Sequence, residues 1–286
     1  MIAFPNAKIN IGLDILRRRP DGYHDLCTVM MPVAWCDILE IVPAAPGADD
    51  TLTVTGRRVD CPPEKNLVMR AVRAVRALRA VAPFPPVEVH LHKVIPDGAG
   101  LGGGSADAAF TLTLLRSLFS LDIDDAHLAA VAASLGADCP FFIYNCPMLC
   151  TGTGIELAPF ALELPQGARI AIVKPPVSVS TAEAYAKVHP AVPTIDLPSL
   201  LRSLPVEKWS GKVVNGFEES VFPGHPELPA IKEQLLGLGA LYASMSGSGS
   251  AIYAIFPSGA DTDARPLSDI VAEKFEGCDT FVSDPL

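Results

Sequence analysis

The chain of 286 residues is short of charge, and of positive charge above all: charged residues make up 19%, and 22 Lys and Arg stand against 32 Asp and Glu, for a formal net charge of −10. A protein that grips a nucleic-acid backbone normally shows a basic face, so this balance excludes nucleic acid as the expected partner. Any anionic ligand has to be met by local donors and not by a global field. The densest basic run, "RRRPDG" from Arg17 to Gly22, sits at a Pro-Asp-Gly turn and reads as a solvated hairpin tip. Paired cysteines are also lacking. Seven (Cys27, Cys36, Cys61, Cys139, Cys146, Cys150 and Cys278) is an odd number, and Cys146-x-x-x-Cys150 has no His at ligand spacing. That argues against a zinc site and a disulfide framework, and for reduced, mostly buried thiols in a cytoplasmic protein. The opening "MIAFPNAKINIGLDIL" has neither a basic n-region nor a clean apolar run, so no secretory signal is read there. No membrane span is expected: residues 235–260 carry no charge, but five glycines, five serines and a proline break them into strand, loop and strand. Internal repeats and low-complexity tracts are absent.

What is present is ample core material. With 49% hydrophobic residues the chain reads as globular, in one large domain or two moderate ones. "AKINIGLDIL" alternates strictly, with Ala7, Ile9, Ile11, Leu13 and Ile15 on one side and Lys8, Asn10, Gly12 and Asp14 on the other, so the spacing predicts a half-buried strand. A turn, "RPDGYHD", and two more strands, "CTVMMPVAW" and "DILEIVP", complete a β meander. "NLVMRAVRAVRALRAVA" from Asn66 is an amphipathic helix whose flank carries Arg70, Arg73, Arg76 and Arg79, read as solvated. "VEVHLHKVI" alternates again, placing His90 and His92 on the face opposite Val87, Val89 and Leu91; a metal there lacks a third ligand. Ser105 is read as the N-cap of the helix "ADAAFTLTLLRSLFSL", and "DDAHLAAVAASLG" as a second helix that Gly136 caps. From about residue 160 the order is strand, helices, strand, strand, helix, strand, with Ser180 and Glu183 matching a capping box. That order suits a ferredoxin-like sandwich.

The most distinctive stretch is "PDGAGLGGGSADAAF", residues 96–110, with five glycines in the seven positions Gly98–Gly104 before a helix begins. Bare backbone N–H groups at a helix start can converge on phosphate; a flexible surface loop is the plain alternative. Gly98-x-Gly100-x-x-Gly103 formally matches the dinucleotide fingerprint, with Asp122 or Asp124 about twenty residues on, so an NAD-dependent oxidoreductase is one hypothesis. Against it, "VEVHLH" alternates as a one-sided antiparallel strand does, and both acids lead straight into another helix. A Walker loop is absent, since the nearest Gly-Lys, Gly211-Lys212, is followed by Val213.

Together, "AKIN", "DGYH", "PDGAGLGGGSADAA", "GADCPFF" and "SGSGSA" (246–251), in this order and over nearly the whole chain, resemble the GHMP kinases, the family of galactokinase, homoserine kinase, mevalonate kinase and phosphomevalonate kinase. The resemblance implies an α+β, two-domain GHMP kinase fold. Residues 1–158 would form an N-terminal ATP-binding domain, ribosomal protein S5 domain 2-like, and residues 159–286 a ferredoxin-like C-terminal GHMP kinase domain, with the active site in the cleft between them. ATP, accompanied by Mg²⁺, would lie along Pro96, Gly98, Gly100, Leu101, Gly102, Gly103, Gly104, Ser105 and Ala106, with Asn66 and Lys93 near the adenine. Asp138 would act as general base and Lys8 as its electrostatic partner. Read alone, Asp138 is equally a helix N-cap, Lys8 an exposed strand lysine, and Tyr23 and His24 hairpin residues. The N-terminal motif "AKINIGLDILRRRPDGYHDL" points further, to the branch that phosphorylates the 2-hydroxyl of 4-diphosphocytidyl-2-C-methyl-D-erythritol in the non-mevalonate route to isoprenoids. Asn10 would then meet the acceptor, and Tyr23 and His24 would hold its cytidine, with Tyr185 closing over the other ring face and Ser246, Gly247, Ser248 and Gly249 closing the site. A mevalonate- or homoserine-type kinase and a non-catalytic nucleotide sensor remain as rivals. No metal-ligand set is legible, nothing explains Asp97 beside the loop, and the oligomeric expectation is a monomer or a weak homodimer.

Overall fold

The computed structural model describes residues 1–78, 83–260 and 265–286. In chain order its strands are β1 (Ile2–Ala3), β2 (Asn6–Arg18), β3 (His24–Cys36), β4 (Ile38–Pro43), β5 (Thr51–Gly56), β6 (Val87–Lys93), β7 (Met148–Thr151), β8 (Glu156–Pro159), β9 (Arg169–Lys174), β10 (Tyr242–Met245), β11 (Ile252–Phe256) and β12 (Asp279–Ser283). The helices are α1 (Leu67–Arg76), α2 (Gly103–Leu118), α3 (Asp125–Leu135), α4 (Cys139–Tyr144), α5 (Thr181–Ala186), α6 (Leu197–Ser203), α7 (Glu218–Val221), α8 (Glu227–Gly237) and α9 (Leu267–Lys274). Two compact units emerge. The first takes Met1–Ala7, Trp35–Asp97 and Gly102–Cys146, and the second takes Lys8–Ala34, Gly98–Leu101 and Pro147–Leu286.

In the first unit a sheet of order β1-β4-β6-β5 packs one face on α1, α2 and α3. Leu39, Ile41, Val87, Val89 and Leu91 meet Val68, Val72 and Val75 of α1, Leu112 and Leu115 of α2, and Leu128 of α3 in one buried cluster. Strand β6 alternates as its sequence predicts, with His90 and His92 on the open face; opposite them across β4 stand Glu40 and Ile38. Among the described residues no group of three or more His, Cys, Asp or Glu side chains could hold a metal ion.

In the second unit β9 to β12 form an antiparallel sheet of order β10-β11-β9-β12. Its third and second strands lie on one side of the first and its fourth on the other, which is the ferredoxin-like order the sequence suggested. Residues of α5, α8 and α9 cover one face through Ala184, Leu228, Ile231, Leu235, Leu267 and Val271. The uncharged stretch 235–260 is strand, loop and strand after the end of α8. A further sheet, β2-β3-β7-β8, lies mainly in this unit.

Several local expectations need correction. Strand β2 is not half-buried: every residue from Asn6 to Leu13 is buried, the polar side with the apolar one. Ser105 is not the N-cap of α2, because the helix starts two residues earlier and Gly102, at φ +73°, takes the cap position with no side chain to offer. Gly136, by contrast, is the C-cap of α3 as expected, its N–H donating to Ala132 O; it stands in extended backbone (φ −179°), and a Cβ there would lie 3.3 Å from Cys139 Sγ. Arg76 is not merely solvated: it forks onto Asp50 at 2.7 and 2.8 Å and lies 4.1 Å over the Phe84 ring. Arg79 and the predicted end of that helix lie outside the described residues, as do Asp263 and Ala264 at the start of the helix predicted there. Three of the seven cysteines are buried, not most of them; Cys61 and Cys146 each precede a proline in a connection and are less covered.

The hairpin tip is as expected. The Arg19 N–H donates to Tyr23 O at 2.8 Å, and the Asp25 carboxylate accepts from Arg17 and Arg19. Hydrogen bonds from Arg17, then Arg19, hold the Asp25 carboxyl below the usual carboxylate range.

Candidate active site

Within the second unit the structure gathers the first half of the glycine loop, the polar side of β2 and the 246–250 loop. The Lys8 N–H donates to Leu101 O at 2.9 Å, Ser246 Oγ donates to Gly100 O at 2.9 Å, and the Ala251 N–H donates to Ala99 O at 3.1 Å. Glycine is required here for two reasons at once: Gly100 sits at φ +73°, and a Cβ on it would stand 2.0 Å from Ser246 O. Lys8 is 3% exposed, and its Nζ donates to Asn10 Oδ1 at 2.6 Å. Gly247 comes to the same place, its missing Cβ 3.3 Å from Asn10 Oδ1.

Two residues that sequence reasoning missed hold the segment from Ser244 to Gly247. Buried Asn215 spends both amide hydrogens on it, donating to Met245 O at 2.7 Å and Gly247 O at 2.8 Å, while its Oδ1 accepts from the Phe217 N–H. Glu218 accepts from Ser244 Oγ and the Met245 N–H and pairs with Lys232. The signal was the run "NGFEE", whose polar residues stand among apolar neighbours without helical or strand spacing.

The aromatic residues are also in this unit. His24 and Tyr185 stack directly on each other, with ring centroids 4.8 Å apart, so Tyr185 closes over His24 itself and no base fits between those two rings in this conformation. Phe217 meets Tyr185 edge-on at 4.8 Å. Tyr23 is 67% exposed.

Within the first unit lie the helix starts. Gly102 caps α2 without a side-chain acceptor, so the first-turn N–H groups of Gly103, Gly104 and Ser105 are the donors that intrahelical bonding leaves over. A Cβ on Gly104 would meet only Leu67 Cδ1, at 3.9 Å, whereas one on Gly103 would press on Ile95 at 3.0 Å and Lys93 Nζ at 3.3 Å. The loop thus has a packed underside and a bare upper side. Ser105 hydrogen-bonds the Cys139 thiol, which burial pushes up to about 11, and this draws the start of α4 to the start of α2. Asp138 occupies the N-cap position of α4, yet its side chain makes no cap bond. The cap reading therefore describes its place and not its carboxylate.

Asn66 and Lys93 are tied into the scaffold. Asn66 caps α1, its Oδ1 accepting from the Val68 N–H at 2.9 Å. Lys93 is 6% exposed and donates to Asp37 and, at 2.7 Å, to Asp107. Burial pushes the Asp107 carboxyl up to about 7 against the pull of Lys93. Burial works to lower the Lys93 ammonium, but the attraction of Asp107 and Asp37 outweighs it and holds the group above its ordinary value. Pro96 is buried beside these residues, and Asp37 also accepts from the Val94 and Ile95 N–H groups, so one carboxylate organises the approach to the loop.

Comparison with known proteins gives the family. The GHMP kinases N terminal domain matches residues 66–146, and the GHMP kinases C terminal domain matches residues 189–272. The 4-diphosphocytidyl-2-C-methyl-D-erythritol kinase of Parabacteroides distasonis is 51% identical over 257 residues, covering 90% of this chain and 92% of its own. The chain belongs to the 4-diphosphocytidyl-2-C-methyl-D-erythritol kinase family, within the GHMP kinases. Another member, from Porphyromonas gingivalis, is 47% identical over 269 residues, 94% of this chain and 97% of that one. A crystal structure of 4-(cytidine 5'-diphospho)-2C-methyl-D-erythritol kinase superposes with a TM-score of 0.79 at 31% identity, over 99% of this chain and 98% of that one. The mevalonate kinase of Methanococcus jannaschii shares the fold at a TM-score of 0.72 with 14% identity, over 100% of this chain and 98% of its own. The family is one of alcohol phosphotransferases. A dehydrogenase reading of the glycine loop is set aside with it.

Proposed function

We propose that this chain transfers the γ-phosphoryl group of ATP to the 2-hydroxyl of 4-diphosphocytidyl-2-C-methyl-D-erythritol, a step of the non-mevalonate route to isoprenoid precursors. The observation that supports this reading is the start of α2, where a cap without a side chain leaves first-turn N–H groups to a ligand; Asp138, next to the Cys139 thiol that Ser105 hydrogen-bonds, is the base this reading assigns. Phosphate fits such a site, because backbone donors and the positive helix end favour an anion without a basic surface. The triphosphate would lie along Gly100–Ser105.

In this mechanism the Asp138 carboxylate accepts the proton of the acceptor hydroxyl. The freed oxygen attacks the γ-phosphorus, its bond to the bridging oxygen breaks, and ADP leaves. The Lys8 ammonium, set on rigid β2, offsets charge on the transferring group. Asn10, Ser246, Gly247, Ser248 and Gly249 face the acceptor, and Tyr23, with the His24–Tyr185 pair, takes the cytosine. The exposure of Tyr23 supports its part in this reading. Asn66 and Lys93 lie near the adenine in this reading. Mg²⁺ would accompany ATP as its counter-ion in this reading and is assigned no residues. The functional division falls near residue 158, with 1–158 carrying the ATP site and 159–286 the C-terminal domain, in a cytoplasmic enzyme.

The test is an acceptor panel with labelled ATP. Phosphorylation of the cytidylated methylerythritol, with mevalonate and homoserine left untouched, is expected; the reverse preference would move the chain to another GHMP kinase activity. Asp138→Asn is expected to lower kcat by about 10²–10⁴-fold with ATP binding kept. Near-normal turnover in that variant would remove Asp138 from the base role, and ATP binding without turnover by the parent chain would leave a nucleotide sensor.

A further inference from the structure

We propose that Thr28 is a positioning residue for the reaction, its hydroxyl holding the Oδ1 end of the Asn10 amide toward Lys8. The inference rests on the reading that Lys8 serves the transferring phosphoryl group. Thr28, on β3, is 1% exposed, and so is Asn10 on β2. The Thr28 hydroxyl has one hydrogen to give, and it donates to the Gly12 carbonyl at 2.6 Å. That carbonyl can only accept. Its aim is set by the backbone, because Gly12 stands at φ +64° with Leu197 Cδ1 2.5 Å from where a Cβ would be. With its hydrogen committed, Thr28 Oγ1 can only accept from Asn10, so the Asn10 atom 3.1 Å away has to be the NH₂ group.

A carboxamide has two ends of nearly equal outline, and either would fit the space. The ammonium, which can only donate, admits one end, and the hydroxyl enforces the same end from the other side. Together they direct Oδ1 toward the ammonium, where Lys8 Nζ donates to it at 2.6 Å. In the flipped orientation two donors would confront each other at Lys8 and two acceptors at Thr28 if its hydrogen stays on Gly12, so the relay Gly12–Thr28–Asn10–Lys8 has one consistent direction. All four residues belong to one strand pair, which makes the device rigid. Thr28 need touch neither substrate for this effect.

Thr28→Val keeps the branched outline and deletes the hydroxyl, whereas Thr28→Ser keeps the hydroxyl. With ATP and the cytidylated acceptor, Thr28→Val is expected to lower kcat about tenfold or more while both KM values stay within about threefold, and Thr28→Ser to return kcat to within about threefold of the parent. Thermal melts establish that folded protein is compared, and Thr28→Ala takes the place of Thr28→Val if the latter does not fold. Parent-like kcat in the hydroxyl-less variant, a loss confined to KM, or a loss that Thr28→Ser does not recover would each overturn the inference. Lys8→Met measured alongside separates the two claims: parent-like turnover there overturns the role of the lysine, whereas its collapse beside a parent-like Thr28→Val overturns only the part given to Thr28.

Discussion

Strands β2 and β6 carry the same period-2 signal and meet different fates. In β6 the apolar residues are buried and Glu88, His90 and His92 stay in solvent; in β2 Lys8, Asn10 and Gly12 are buried as completely as Ile9 and Ile11. Placing an amide out of water without a partner costs roughly 1–3 kcal/mol, and an ammonium costs more, so a buried polar face persists only where its groups bond one another or serve a ligand. Alternation reports that a strand has two unlike sides. It does not report whether the polar side faces water.

The sharpest way to break this comparison is to remove charge from each polar face in turn, beginning with Lys8. Lys8→Met keeps the aliphatic stem and deletes the ammonium. The expected result is a fall in kcat of about 10²–10³-fold, the scale on which losing one transition-state donor acts, with a smaller change in KM for ATP. Steady-state kinetics check it. A variant that lost only ATP affinity would make Lys8 a ground-state contact and bring β2 closer to an ordinary strand.

What the sequence made legible follows the same division. Patterns that repeat were readable: the ferredoxin-like strand order, the exposed His90 face, the Ser180 cap of α5, and the glycine loop that opens a helix. Features fixed by one residue in three dimensions were not. Ser105 looks like a cap because capping serines precede helices, but Gly102 in left-handed backbone starts the helix first, and the serine turns to Cys139 instead. Thr28 and Asn215 are lone polar residues in apolar surroundings, and only the fold shows what they bond. Strand β5, "TLTVTG", is short and polar, and it is a strand because it adds in parallel to the edge of β6.

A smaller effect is expected at the far end of the polar side of β2. Burial, with Asp196 adding to it, pushes the Asp14 carboxyl up to about 6 from an ordinary value near 3.8. The folded state therefore holds its proton more tightly than the unfolded chain does. The stability linked to this group is fully present below about pH 4 and is lost as pH rises through about 6. Asp14→Asn, which cannot ionise, is expected to melt with the parent at low pH and above it at pH well over 6. Thermal melts across that range test this, and an offset independent of pH would show that the carboxylate is not penalised by its surroundings.

The least effect belongs to β6. His90 and His92 project from the open face of their sheet, where His92 Nδ1 lies 2.9 Å from Thr55 Oγ1 and no described cluster makes either a metal ligand. Both side chains are exposed, so truncation strands no buried donor and opens no cavity. The double variant His90→Ala, His92→Ala is expected to change unfolding free energy by only about 0.5 kcal/mol and to leave kcat unchanged. Denaturant unfolding and steady-state kinetics on one preparation decide it. A loss of turnover there would mean that the open face of β6 is spoken for, and the contrast with β2 would then lie in which ligand each strand serves and not in whether it serves one.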